Sequence, residues 1–492
     1  MNGMTISKFH SALAQDPSLA PTLITNALNS IANHDAILKS IITTNPSATS
    51  EATQSQTQPN PNLPLHNIPI ILKDNYTTPT HPTTAGVLAL TITPKTTSKS
   101  TVYTRLKNAG AIILAKANLH EFALQGITLS SVRGQTLNPY DPSRTPGGSS
   151  GGTAAAIAAG FAIAGCGTDT VNSLRSPASA CGIVGFRPST GRIPTDGVVP
   201  VSFTQDVLGP MAGCVADVRV VYAVMAGLPT FVCGSRRKWR VGVLESFFGA
   251  EGLDDETVAE NRIVTDVIGK ALHSIRDIVE LVPIARPEWC FETLSAKGDT
   301  QAFEFKYSLD KFLAGVESSH SSLESIVRSG EYSREAVTEV FEAGLVDPDT
   351  YCVNSQAYRD RLEFIAGLKG DVDCCFEEFG VDAFVYPHQR QLPVKIGERK
   401  QGGRNGILAA LTGRPAICIP GKWISMDFDF GCWLICIAGM SPRTETAVLG
   451  VPIGVEFMGK RWGEEDLLDL AECVEGILQV RPAPDMRFFE SK

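Results

Sequence analysis

Residues 146–192, PGGSSGGTAAAIAAGFAIAGCGTDTVNSLRSPASACGIVGFRPSTGR, hold the serines of this chain best placed to do chemistry. Two Gly pairs enclose Ser149 and Ser150, and a run of Ala, Ile and Phe without a polar face follows. A helix that is apolar all round is buried. Its N-terminal turn is one that only small residues can build, with hydroxyls and backbone N–H groups available for capping or for an anion. A second turn, GTDTVNS, follows that helix and carries Ser173.

Several chemistries fit parts of this pattern. A phosphate loop needs Lys and then Ser or Thr after its last Gly, whereas Gly152 is followed by Thr153 and Ala154. Gly148 to Gly152 satisfies G-x-S-x-G around Ser150, but a nucleophile elbow needs a strand before it and DPSRTP is a turn sequence. Its partner would be His273, His320 or His388, none in an informative context. Ser308-Leu309-Asp310-Lys311 fits S-x-x-K, yet no SDN or KTG accompanies it. A tight helix start packed in a core is the plain structural reading of the Gly-Ser turn.

These turns need a large scaffold, and the chain supplies one. It has 492 residues, 43% hydrophobic and 19% charged, enough apolar material for a sizeable core. Its net charge of −9 argues against nucleic acid as a partner captured by electrostatics. Twelve cysteines show no C-x-x-C pair and no zinc spacing, so reduced thiols and no metal are expected. The first twenty residues lack a basic head and an apolar run, and no stretch of 18 apolar residues offers a membrane span. The cytoplasm is the expected compartment, and a homodimer is compatible with these features.

Residues 17–47 read as helical and 47–64, rich in Pro, Asn and Gln, as a polar linker; 1–64 would form an N-terminal helical segment. From residue 65 to 480 the texture is that of one domain. Buried-strand candidates at 68–72, 111–115, 384–386, 416–419 and 452–457 alternate with helical stretches at 97–109, 153–164, 214–226, 255–275, 355–369 and 463–478. This predicts an α/β fold with a large twisted mixed β-sheet covered by helices on both faces. The more polar segment 250–370 reads as helical insertions over the sheet.

The chain resembles the amidase-signature family. GGSSGG (147–152), GTD (167–169), Ser173-x-Arg175 and SPASACGIVGFRPSTGR follow the family's signature in order and spacing. The likeness extends to IPIILKDN (68–75), AGAIILAKANLHEFA (109–123), NPYDPSRTPGG (138–148), GVVPVSFTQDVLGPM (197–211), RPAICIPG (414–421) and GVPIGVEFMG (450–459). The resemblance implies a Ser-cisSer-Lys triad: Lys73, Ser149 in a cis peptide, and Ser173 as nucleophile. It also implies an oxyanion hole from the backbone N–H groups of Thr170, Val171, Asn172 and Ser173. Lys116 ends an apolar run as Lys73 does, and spacing does not separate them. Burial would disfavour the charged amine and make a base of it. The implied reaction takes a small amide substrate and no cofactor. The glutamine-hydrolysing subunit of a tRNA-dependent amidotransferase and a catalytically impaired amidase-like scaffold are the alternatives. For Asp169 and Arg175 we expect a buried charge pair or loop anchor rather than a substrate contact.

Two departures stand out. Most family members carry two Gly before the nucleophile, where this chain has Val171 and Asn172. Since β-branched residues avoid left-handed backbone, Val171 predicts an ordinary φ. Residues 422–439, KWISMDFDFGCWLICIAG, interrupt the family pattern, and deleting them rejoins IPG to MSPRTETAVLGVPIG. Gly-Lys-Trp can be encoded with an intron start and Ala-Gly can close on AG, so a retained intron is expected here; a genuine inserted lid is the alternative.

Overall fold

The computed structural model describes residues 1, 3–57, 60, 62–95, 99–230, 234, 237–250, 255–336, 339–421, 450–478 and 482–490. Thirteen strands occur among them: β1 (Ile41–Thr44), β2 (Pro69–Lys73), β3 (Ile112–Ala117), β4 (Leu129–Ser130), β5 (Gly134–Gln135), β6 (Ala164–Asp169), β7 (Val184–Arg187), β8 (Val207–Ala212), β9 (Trp239–Leu244), β10 (Val279–Ile284), β11 (Ala383–Pro387), β12 (Ala416–Pro420) and β13 (Gly454–Gly459). Eleven form one mixed sheet in the order β1-β3-β2-β6-β8-β7-β12-β13-β11-β9-β10, while β4 and β5 pair separately. β2 lies between β3 and β6 and runs parallel to both. The five short apolar runs expected as strands are β2, β3, β11, β12 and β13, each within two residues at either end.

Alternation along β11 places helices on both faces. Ala383 and Val385 join a core with Val241, Ile417, Phe457 and the helices Val215–Ala226, Asp255–Ser274 and Glu464–Leu478. Phe384 and Tyr386 join a second core with the helices Gln356–Phe379 and Ile407–Thr412. Successive strand residues point to opposite faces, so one strand serves both cores. A third cluster, around Phe122, Phe305 and Phe341, lies under helices of the 300–346 region.

Strand β10 lies within 250–370, where only helical insertions were expected, and before residue 165 the structure corrects three further expectations. The helix expected over 17–47 ends at Leu38, where Lys39 turns left-handed, and β-branched Ile41–Thr44 pairs with β3 instead. The linker expected at 47–64 contains the helix Ala48–Thr57; Ala48 and Ala52, four apart and fully buried, dock a face too small to give an apolar signal. The helix expected to reach 164 stops at Ala158, because Gly160 takes φ +77° and Ala164 opens β6.

The expected intron, 422–439, lies outside the described residues. Residues 440–449 lie outside them too; before and after this stretch the Gly421 N–H donates to the Ile453 carbonyl at 3.0 Å, and Pro420 pairs with Gly454. Transcript reads across this junction are expected to lack codons 422–439; reads that all retain them would refute the intron. No disulfide joins the nine described cysteines, and no described helix is long and apolar enough to cross a membrane.

Candidate active site

β2 is buried at all five positions and ends in Lys73. The Lys73 amine lies 2.8 Å from Ser149 Oγ and 2.7 Å from Thr168 Oγ1, both within hydrogen-bond reach. Burial brings its pKa down to about 7, against the pull of Asp169 and Asp206 towards the charged form. Lys116 is equally buried but forms an ion pair with Asp74 Oδ1 at 2.7 Å and donates to Thr83 Oγ1 at 2.9 Å. Register explains the difference. Leu72 pairs with Lys116 and Lys73 with Ala117, so the two lysines emerge on opposite faces of the sheet.

Close approach builds the turn around Ser149. Gly147 has φ +72°, and a β-carbon there would sit 3.0 Å from the Ser176 carbonyl oxygen. A β-carbon at Gly152 would sit 2.2 Å from the Asn118 carbonyl oxygen. Thr128 Oγ1 donates to the Gly147 carbonyl at 2.7 Å and accepts the Gly151 N–H at 3.1 Å, holding both ends of the turn. The Gly148–Ser149 peptide is cis. The His120 N–H donates to the Ser149 carbonyl at 3.1 Å.

Ser173 follows β6 on a turn that opens the helix Arg175–Cys181. The Ser150 N–H donates to the Ser173 carbonyl at 3.2 Å, which joins the two serine turns. Ser149 and Ser173 are not hydrogen-bonded through their side chains, and Ser173 Oγ bonds no described residue. The backbone N–H groups of Val171, Asn172 and Ser173 likewise donate to no described group. Neither Val171 nor Asn172 has a positive φ, as the β-branched side chain predicts. The turn is therefore built without the freedom of glycine. Thr170 to Ser173 line a cavity of about 170 Å³, with Gln125, Asp299 and Arg404 also on its wall.

Buried charge holds this turn. Asp169 accepts the Leu174 N–H at 3.0 Å, Arg175 Nε at 3.1 Å and Arg187 Nη1 at 2.9 Å. Arg175 in turn donates to the carbonyls of Val171 and Gly406. The Gly406 N–H donates to Asn172 Oδ1 at 3.1 Å. Asp169 and Arg175 are both fully buried, a charge pair anchoring the loop as expected.

Residues 22–468 match the model of the amidase family. This chain is a member of the amidase family. Membership makes it a hydrolase acting on carbon–nitrogen bonds of amides. A glutamyl-tRNA(Gln) amidotransferase subunit of Synechococcus sp. (strain CC9605) is 31% identical over 453 residues, 85% of this chain and 84% of the relative. Indoleacetamide hydrolase of Agrobacterium vitis is 28% identical over 446 residues, 87% of each chain. The native peptide amidase of Stenotrophomonas maltophilia superposes with a TM-score of 0.80 at 26% identity, covering 99% of both chains.

Within this amidase fold, sequence reasoning missed the groups that support the turns. Thr168 and Thr128 gave no signal, since an isolated threonine rarely does. Glu456 did give one, a carboxylate inside the apolar strand β13. It is fully buried and binds the Arg175 guanidinium, the Tyr386 hydroxyl at 2.8 Å and His388 Nδ1. Opposite charge from Arg175 and His388 holds its carboxyl below the usual range despite burial. Glu456→Ala is therefore expected to cost about 3–5 kcal/mol by leaving Arg175 with an uncompensated face. Urea unfolding of Glu456→Ala and Glu456→Gln would check this, with the Gln variant the milder; a loss under about 1 kcal/mol for Ala would contradict it.

Proposed function

We propose that this protein hydrolyses a small carboxylic amide to the acid and ammonia or an amine, through an acyl-enzyme on Ser173. The observation that carries the reading is the contact of the buried, readily deprotonated Lys73 amine with Ser149 Oγ, beside the cavity that Ser173 lines. Ser173 Oγ bonds to the amide carbon as its proton passes to Ser149, whose own proton passes to Lys73. The tetrahedral oxyanion takes hydrogen bonds from the N–H groups of Thr170, Val171, Asn172 and Ser173. Preorganised donors of this kind are typically worth about 2.7–4 kcal/mol each. The carbon–nitrogen bond breaks as the proton returns through Ser149 to the leaving nitrogen. Water then adds to the acyl carbon by the same relay, and the acid leaves. Hydrogen bonds of this type tighten when substrate fills a site, which accommodates the looser placing of the two serines here.

The identity to amidotransferase chains supports a second reading, release of ammonia from glutamine inside a larger assembly. Ammonia release by the isolated chain separates the two. Turnover of simple aliphatic or aromatic amides supports the amidase; turnover of glutamine alone, and only with partner chains, supports the amidotransferase component.

A further inference from the structure

The wall of the Ser173 cavity carries one cation whose donors are almost unused. Arg404 precedes the helix Ile407–Thr412 and lines the cavity with Gln125 and Ser173. A guanidinium has five N–H donors. Among the described residues its side chain makes a single hydrogen bond, Nη2 to Gln125 Oε1 at 3.3 Å. Its Nε is buried with no partner, and no described carboxylate lies within ion-pair distance. Buried polar groups are ordinarily paired, and an unpaired charge is the most expensive kind to leave in a cavity.

The other charges around the cavity are occupied. Asp299 accepts the Gln301 N–H at 3.0 Å and the Gln301 side-chain amide on both oxygens, at 3.0 and 2.9 Å. It lies one residue before Thr300, the N-cap of the helix Gln301–Leu313. Glu339 and Lys400, on the exposed rim, pair with each other at 3.5 Å. The chain also makes room for the guanidinium: a β-carbon at Gly126 would lie 2.3 Å from Arg404 Nη1. Burial lowers the Arg404 pKa to about 10, against the pull of Asp169 and Asp299 towards the charged form, which leaves it cationic at neutrality.

We propose that Arg404 receives a carboxylate of the substrate, so that the amide hydrolysed at Ser173 is short and carries an acid group. The planar fork of donors fits two carboxylate oxygens at once, and such charge-assisted pairs are about twice as strong as neutral hydrogen bonds. A neutral carbonyl would engage one donor and leave the other N–H groups of the fork without an acceptor. The cavity of about 170 Å³ keeps the acyl part small. This inference rests on Ser173 being the nucleophile of the same cavity.

The test compares succinamate and glutaramate with 4-methylpentanamide and 5-methylhexanamide, in which an isopropyl group replaces the carboxylate. Wild-type kcat/KM is expected to favour at least one acid amide by about 30-fold or more over its neutral partner. Arg404→Leu should erase that ratio, and Arg404→Lys, which keeps charge without the fork, should leave part of it. Equal rates on both members of each pair, or a ratio unchanged in Arg404→Leu, would overturn the proposal. Calorimetric titration of Ser173→Ala protein with the same compounds reads Arg404 independently of turnover. Tighter binding of the acid amides without any wild-type turnover would sink the hydrolytic reading and keep the carboxylate site. Turnover and binding without preference would do the opposite. Should Arg404→Leu fail to fold, the wild-type ratio and Arg404→Lys decide.

Discussion

Replacing Ser173 with alanine is expected to lower kcat by about 10⁴-fold or more, since removal of a nucleophile takes the covalent route away altogether. The fold should survive. Ser173 lines a cavity and its hydroxyl bonds no described residue, so the stability change should stay within about 0.5 kcal/mol. Initial-rate assays beside urea unfolding check both halves. A folded variant that retains even a tenth of wild-type kcat would remove Ser173 from the role, and one that unfolds would contradict the expected stability.

Lys73 carries the second large effect, and its sign follows from burial. The amine must be neutral to take a proton, and burial brings its pKa down to about 7. Below that value the protonated fraction dominates, so kcat/KM should rise with pH, with a midpoint near 7, and level off above it. An unperturbed lysine would shift the rise to about 10.4. Lys73→Met keeps the buried stem and deletes the base, and is expected to cost about 10⁴-fold in kcat/KM, because members of a catalytic unit fail together. A pH profile flat between about 5.5 and 9.5, or a rise only above about 10, would contradict the assignment. Lys116→Met serves as the contrast. It leaves Asp74 buried without its cation, so its defect should appear in stability rather than in the pH midpoint.

Much of the site was legible because its motif is long and in fixed order. The resemblance to that motif singled out Ser149, Ser173 and the Gly turn, which a hydrogen bond between the two serine turns joins in the structure. Lys73 could not be separated from Lys116 by spacing, because the decision lies in strand register. One residue of offset between β2 and β3 sends one amine to Ser149 and the other to Asp74. Strand β6 escaped notice for a related reason. Its glycines break any period, and they are there for contact: a β-carbon at Gly167 would lie 2.6 Å from Ser150 Oγ. β9 and β10 were hidden in and beside a segment read as helical insertions, although both extend the sheet beyond β11. Glu456 shows what composition can reveal. A carboxylate in an apolar strand demands a partner, but only the fold brings Arg175 and His388 to it.

The central claim is that Ser173 is the residue acylated in turnover. Incubating the wild-type chain with a fluorophosphonate probe and mapping the modified peptide tests it most directly. One stoichiometric adduct on Ser173 is expected, absent from Ser173→Ala and strongly slowed in Lys73→Met. An adduct on Ser149 or Ser150, or labelling that persists in Ser173→Ala, would contradict it.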